Sequence, residues 1–216
     1  DDSESVQKSE EDKEKVKESK SGDGVFKIGL PMVLSSSVGS NMGINIRDGV
    51  QLAVDEINEN GGLNGEELEL LIYDTQGSPE EAVRVVTKLA QEDDVDLIVG
   101  PMFSGECSAA GSFANNYKVP MMAIGTSASF MKEDWPYVYR ATVNNSRAVP
   151  STVKMMEGLG YEKIAIFHGQ DDSANNVAKD MEAAWKESGH EVLLKESYDV
   201  GDTDFSAQAA NIVAAN

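Results

Sequence analysis

The sequence has one cysteine, Cys107, so no disulfide can form within the chain. A cysteine-poor chain suits the cytosol and many bacterial exported proteins alike. Cys107 reads as a small buried packing residue rather than a nucleophile. There is no run of 18 apolar residues, so no segment is apolar enough to cross a membrane as a helix. No signal peptide is visible, and a start at Asp1 is what a processed or trimmed chain looks like. Basic residues are scarce: 18 Lys and Arg stand against 38 Asp and Glu, a net charge of −20. That balance argues against nucleic acid as a partner, because phosphate binding needs clustered cations. It also disfavours docking on anionic lipid and favours solubility.

Catalytic and cofactor signatures are missing as well. The chain holds no G-x-G-x-x-G, no G-x-x-x-x-G-K-[ST] and no G-x-S-x-G. Its two histidines, His168 and His190, are far apart, and no His/Cys/Asp cluster has zinc spacing. Asp171-Asp172 invites a calcium reading, but two adjacent acids in a loop are usually solvated. These absences predict a protein that is not an enzyme and that needs no cofactor or metal.

What is present is a charged start followed by regular alternation. Residues 1–24 carry nine acids and five lysines with no aromatic, too little apolar surface to offset the entropy of ordering. They read as a charged tether, with a short helix near 10–20 where Glu and Lys recur at helical spacing. Two roles stand for the tether: holding the domain at a membrane through a lipid anchor at the amino terminus, or none. The lipid-modified cysteine that the first requires is not in this sequence.

From Val25 the pattern predicts strands at 25–30, 68–74, 95–99, 121–124 and 137–141, with helices at 44–60, 79–91 and 104–117. Ser78-Pro79-Glu80-Glu81 is a helix start, with serine as cap, proline in the first turn and Glu81 reaching back in a capping box. Gly61-Gly62 is a helix end. A second series follows: helices at 146–159, 173–188 and 205–215, strands at 163–168 and 191–198. With 40% hydrophobic residues a real core is possible. Alternating strands and helices mean βαβ units and parallel sheets, an α/β fold. The restart near Asn144 predicts two lobes, 25–143 and 144–216.

In open α/β sheets ligands sit beyond the carboxyl ends of the strands. That rule selects loops 31–43, 75–78, 100–105, 125–130 and 168–173. In the third of these, a helix begins near Ser104. A helix amino terminus offers unpaired N–H groups and partial positive charge, a site for a carboxylate. Ser104 can add a hydroxyl and Phe103 can wall the pocket, or Ser104 is only an N-cap. Thr126, Ser127 and Ser129 make the fourth loop rich in hydroxyls, either ligand contacts or a self-satisfied turn.

An ordered set of pieces carries a family resemblance. The strand Phe26-Lys27-Ile28-Gly29 leads into Pro31 and a serine-rich loop. GVQLAVDEINENGGLNGEELELLIYD at 49–74, the turn Gly100-Pro101-Met102-Phe103-Ser104-Gly105, Val119-Pro120, and GDTDFSAQ at 201–208 follow. Together they resemble the type I solute-binding proteins of branched-chain amino-acid transport systems, over 25–216 almost without a gap. The resemblance implies the periplasmic-binding-protein type I architecture: two parallel-sheet αβα lobes closing on a ligand, with lobe two and the returning strands of lobe one incomplete here. It implies extracytoplasmic capture of a small amino-acid-like solute and delivery to an ABC transporter permease. A sensor domain of a receptor or regulator with the same fold is the alternative, and an α/β enzyme the third reading.

The resemblance also assigns a site. The serine matching Ser104 binds the ligand carboxylate in that family. The positions matching Ser127, Ala128 and Ser129 form the loop that contacts the ligand's amino and carboxylate groups, with Ser129 where threonine is frequent. Asn145 matches a position near the hinge that carries an acid in some relatives. Ser173 and Met42 stand where aromatics are common, so the side-chain pocket departs from the usual one. For Asn145, Ser173 and Met42 ordinary surface is the competing reading. His168, at the end of a strand facing the cleft, is a weaker candidate contact.

Overall fold

The computed structural model describes residues 24–132 and 134–215. The charged segment read as a tether lies, but for Gly24, outside the described residues.

Five parallel strands form the first sheet, in the order β2-β1-β3-β4-β5. They are β1 (Val25–Met32), β2 (Glu67–Asp74), β3 (Leu97–Val99), β4 (Met121–Ala123) and β5 (Val138–Arg140). β1 pairs with β2 from Val25↔Glu67 to Met32↔Asp74, and with β3 only at Ile28 and Gly29. Beyond Gly29 one side of β1 has no ladder to complete, which lets the strand run through Pro31.

Helices cover both faces. On one, α1 (Ser40–Glu59) lays Ile46, Val50 and Val54, spaced four apart, against Ile28, Leu30 and Leu68. On the other, α2 (Pro79–Gln91) buries Ala82, Val85, Val86 and Leu89, and α3 (Ser104–Tyr117) buries Cys107, Ala110 and Ala114. Gly29 lets α2 close on the sheet: a Cβ there would lie 2.7 Å from Leu89. Cys107 is fully buried with its Sγ 3.3 Å from the Pro101 carbonyl, and burial pushes its thiol up to about 12. It is a packing residue.

The start of α2 is half of the expected capping box. Ser78 Oγ accepts the Glu81 N–H at 3.3 Å, and Pro79 occupies the first turn. The Glu81 carboxylate pairs with Arg84 instead of reaching back, and the Ser78 N–H donates to the Thr75 carbonyl. α1 ends on Gly61 and Gly62, both at positive φ.

The second sheet holds β6 (Lys163–Gly169) and β7 (Glu191–Tyr198), parallel, with α5 (Asp172–Glu187) between them in sequence. Its core is Trp185, Val149 and Val153. Trp185 is fully buried and its Nε1–H donates to the Glu191 carbonyl at 3.1 Å. The His190 ring stacks on Trp185 with ring centroids 4.4 Å apart. The helix expected from 146 divides in two: a 3₁₀ turn at Asn145–Arg147, then α4 (Val149–Gly158). Pro150 lacks an N–H and suits only the first turn of α4. α6 (Ser206–Ala214) follows β7.

Candidate functional site

The loops beyond the carboxyl ends of the strands surround a cleft of about 660 Å³. All five loops selected from the sequence contribute to it, through residues such as Met42, Gly77, Ser104, Thr126 and Ser173. Its walls are largely apolar, with Val38, Met102, Phe103, Ile124 and Val200 among them.

One wall is held in place by close packing and hydrogen bonds. The Phe103 ring lies over Gly39 and Gly77, where a Cβ would come within 2.5 and 3.3 Å of it. Asp74 ties down the loop before α1, accepting from the Leu34 and Gln76 N–H groups at 2.9 Å each and from the Ser35 hydroxyl. Burial pushes the Asp74 carboxyl up, but those hydrogen bonds together outweigh it and hold it below its usual range.

The polar end of the cleft is the start of α3. Ser104 is its first helical residue, not its cap, and is buried. Its Oγ accepts the Thr126 N–H at 3.2 Å and the Ser127 N–H at 3.1 Å. With both lone pairs taken, the hydroxyl proton is the group left to donate. Glu106 holds the same turn, its Oε2 accepting the Phe103 N–H at 3.0 Å. Burial raises the Glu106 pKa, and its Oε1 and the nearby Thr75 Oγ1 make no hydrogen bond of standard geometry.

The remaining candidate residues form two hydrogen-bonded groups beside the cleft. Asn145 Nδ2 donates to Thr126 Oγ1 and Ser173 Oγ, each at 2.9 Å, and those two hydroxyls are 2.9 Å apart. Ser127 Oγ donates to Ser129 Oγ at 3.0 Å, and Ser129 Oγ donates to Asp172 Oδ2 at 2.6 Å. Asn176 Nδ2 donates to Ser127 Oγ at 3.0 Å. Behind the loop, the Arg140 guanidinium donates to the Ser127 carbonyl at 2.5 Å and lies over the Phe130 ring at 4.6 Å, where burial lowers its pKa.

Of the residues singled out in the sequence, Met42, Phe103, Ser104 and Ser173 line the cleft. Ser127, Ala128, Ser129 and Asn145 are not among the lining residues; Ser127 is buried and Ala128 exposed. His168 does not line it either, and its Nδ1 sits 2.9 Å from the Gly169 carbonyl. The sequence reading missed Thr142, Glu106 and Asp172 as lining residues. Asp172 was set aside as solvated, and nothing local marks that its side chain crosses to the serine loop. Among the described residues no group of three or more His, Cys, Asp or Glu could hold a metal ion.

Known proteins share this architecture. The family model described as periplasmic binding protein matches residues 25–216. The leucine-specific-binding protein of Salmonella typhimurium is 24% identical over 171 residues, 78% of this chain and 46% of that protein. Leu/Ile/Val-binding protein homolog 2 of Brucella abortus is 27% identical over 187 residues, 86% and 49% respectively. Among solved structures, the branched-chain amino-acid transporter binding protein LivJ of Streptococcus pneumoniae, in complex with isoleucine, has 30% identity and a TM-score of 0.78 over 88% of this chain and 54% of that one. A leucine-binding protein LivK from Thermotoga maritima has 23% identity and a TM-score of 0.79, with the same coverage. The chain spans about half the length of the relatives it matches. With parallel α/β sheets, a cleft at their carboxyl ends and a family match from Val25 onward, the chain belongs to the periplasmic binding protein family.

Proposed function

We propose that the protein captures a small amino-acid-like solute outside the cytoplasm, by closure of two lobes, and delivers it to the permease of an ABC importer. The lobes are residues 25–143 and 144–216. The observation that carries this reading is Ser104 at the amino end of α3, inside the cleft, with its acceptor capacity spent on the 126–127 backbone. Its proton and the helix amino terminus favour a carboxylate. The apolar wall of Met42, Met102, Phe103 and Ile124 suits an aliphatic or larger apolar side chain. The relatives named for leucine, isoleucine and valine support that choice. Ser127, Ala128, Ser129 and Asn145 act in this reading as the frame of the site, with Ser173 at its rim.

The test is a thermal-shift panel of the intact protein against the proteinogenic L-amino acids. A ligand that binds only the folded state must raise the midpoint, by RT ln(1 + [L]/Kd) in free energy. At least one apolar amino acid is expected to do so. A flat response across the whole panel refutes the amino-acid reading.

A further inference from the structure

We infer that the site takes up a proton at Glu106 when it binds its solute, so that binding weakens as the pH rises, a coupling that rests on the carboxylate reading above.

Glu106 stands two residues beyond Ser104, in the first turn of the same helix. It lines the cleft, yet it is only 1% exposed. Its Oε2 is occupied, accepting the Phe103 N–H at 3.0 Å. Its Oε1 is buried with no hydrogen bond of standard geometry, and so is Oγ1 of the fully buried Thr75 beside it. A buried charge with an unmatched oxygen is costly. A proton on Oε1 removes that charge and gives the oxygen a donor for Thr75 Oγ1.

The surroundings supply no counter-charge. From the end of β2, Asp74 adds a like charge. The loop at 33–43 has no charged residue. On α2, Arg84 is exposed and paired with Glu81. Beside Glu106 on α3, burial keeps the Cys107 thiol neutral. Arg140 is turned to the Gly125 and Ser127 carbonyls. Asp171 and Asp172 are the other charged groups of the cleft, and among the described residues lining it there is no lysine and no arginine.

The start of α3 offers partial positive charge, and Glu106 is the acid of its first turn. A solute carboxylate arriving at Ser104 competes for that charge and repels a second anion nearby. Two carboxylates sharing a site keep one proton between them. The α-carboxyl of an amino acid is the stronger acid, and the Ser104 proton is its donor, so the shared proton goes to Glu106. Solute binding thus adds to burial, which already favours the protonated form of Glu106. Affinity is full below the ligand-free pKa of Glu106 and falls as pH rises through it, by at most about tenfold per pH unit for one proton.

The experiment is calorimetric titration of the intact protein with the proteinogenic L-amino acid that binds it most tightly. It is repeated in buffers of different ionisation enthalpy over a series from about pH 4 to pH 8, which brackets the ordinary carboxyl and imidazole ranges. The dependence of the heat on the buffer counts the protons. Uptake of up to about one proton per solute is expected in part of the series, with affinity falling there as pH rises. Glu106→Gln keeps the shape and cannot ionise, and it is expected to lose both the uptake and the slope. Infrared difference spectra of the unmutated protein, which need no variant, are expected to gain a carboxylic-acid C=O band when the amino acid is added. No uptake at any pH, no such band, or uptake that persists in Glu106→Gln overturns the coupling and leaves the proposed function standing. Failure of every amino acid to bind the unmutated protein overturns both.

Discussion

Two glycines in one helix give opposite predictions. Gly43 lies in the first turn of α1, against the end of β1. A Cβ there would stand 1.9 Å from the Val33 carbonyl oxygen and 3.3 Å from Met32 Cγ. Ordinary contact begins near 3.4 Å, so the start of α1 must move about 1.5 Å from β1, and the obstacle is backbone with no rotamer to yield. Overpacking of this kind costs about 1–3 kcal/mol. Alanine for glycine inside a helix returns about 1 kcal/mol. Gly43→Ala is therefore expected to destabilise the intact protein by about 2 kcal/mol, at the upper end of the overpacking range. Gly49, six residues on, is exposed with nothing within 4 Å of its Cβ position. Gly49→Ala keeps only the propensity gain and is expected to stabilise by about 0.5–1 kcal/mol. The two variants should differ by roughly 3 kcal/mol, or about 6–12 °C in Tm for a domain of this size. Circular-dichroism melts and urea titrations of both read this directly. A Gly43→Ala protein that melts at or above the parent, or two shifts of the same sign, would refute the packing argument.

Three further outcomes follow from the site. Ser104→Ala leaves the Thr126 and Ser127 N–H groups without their acceptor; the urea midpoint of the ligand-free protein is expected to fall by the equivalent of about 1–3 kcal/mol, and no change refutes the frame role. Glu106 holds its proton more tightly when folded than unfolded, because burial raises its pKa. The stability it allows is thus full at acid pH and declines as pH rises through its folded pKa. Glu106→Gln, which cannot ionise, is expected to flatten that decline, and an unchanged slope between acid and neutral pH in thermal melts refutes it. Asp74 has the opposite sign: its pKa is lowered on folding, so its contribution is present at neutral pH and lost as pH falls through the folded value. Asp74→Asn is expected to reduce the acid sensitivity of the melt, and an unaltered acid limb refutes that.

The order of strands and helices was legible because its signals are local. Apolar spacing along α1 and α2, the Ser78-Pro79 start and the Gly61-Gly62 stop act within one or two turns of chain. The loops that meet at the cleft could be selected too, since in a parallel sheet every carboxyl end points the same way. The departures are also local: Pro150 delays α4, and Glu81 prefers Arg84 to the cap.

What each loop side chain does was decided elsewhere. Ser104 looks like a helix cap in sequence, yet its oxygen serves a backbone 22 and 23 residues away. Ser127 and Ser129 look like cleft hydroxyls, yet they turn to Asn176 and Asp172, 49 and 43 residues away. Asp172 looks solvated until α5 is packed beside the first sheet. The amino-acid sequence alone determined which segments become strands, helices and cleft loops, because periodicity and capping are short-range. Only the tertiary structure decided which hydroxyl faces the cleft and which carboxylate reaches it, because a loop side chain takes its direction from distant partners with which it shares no sequence pattern.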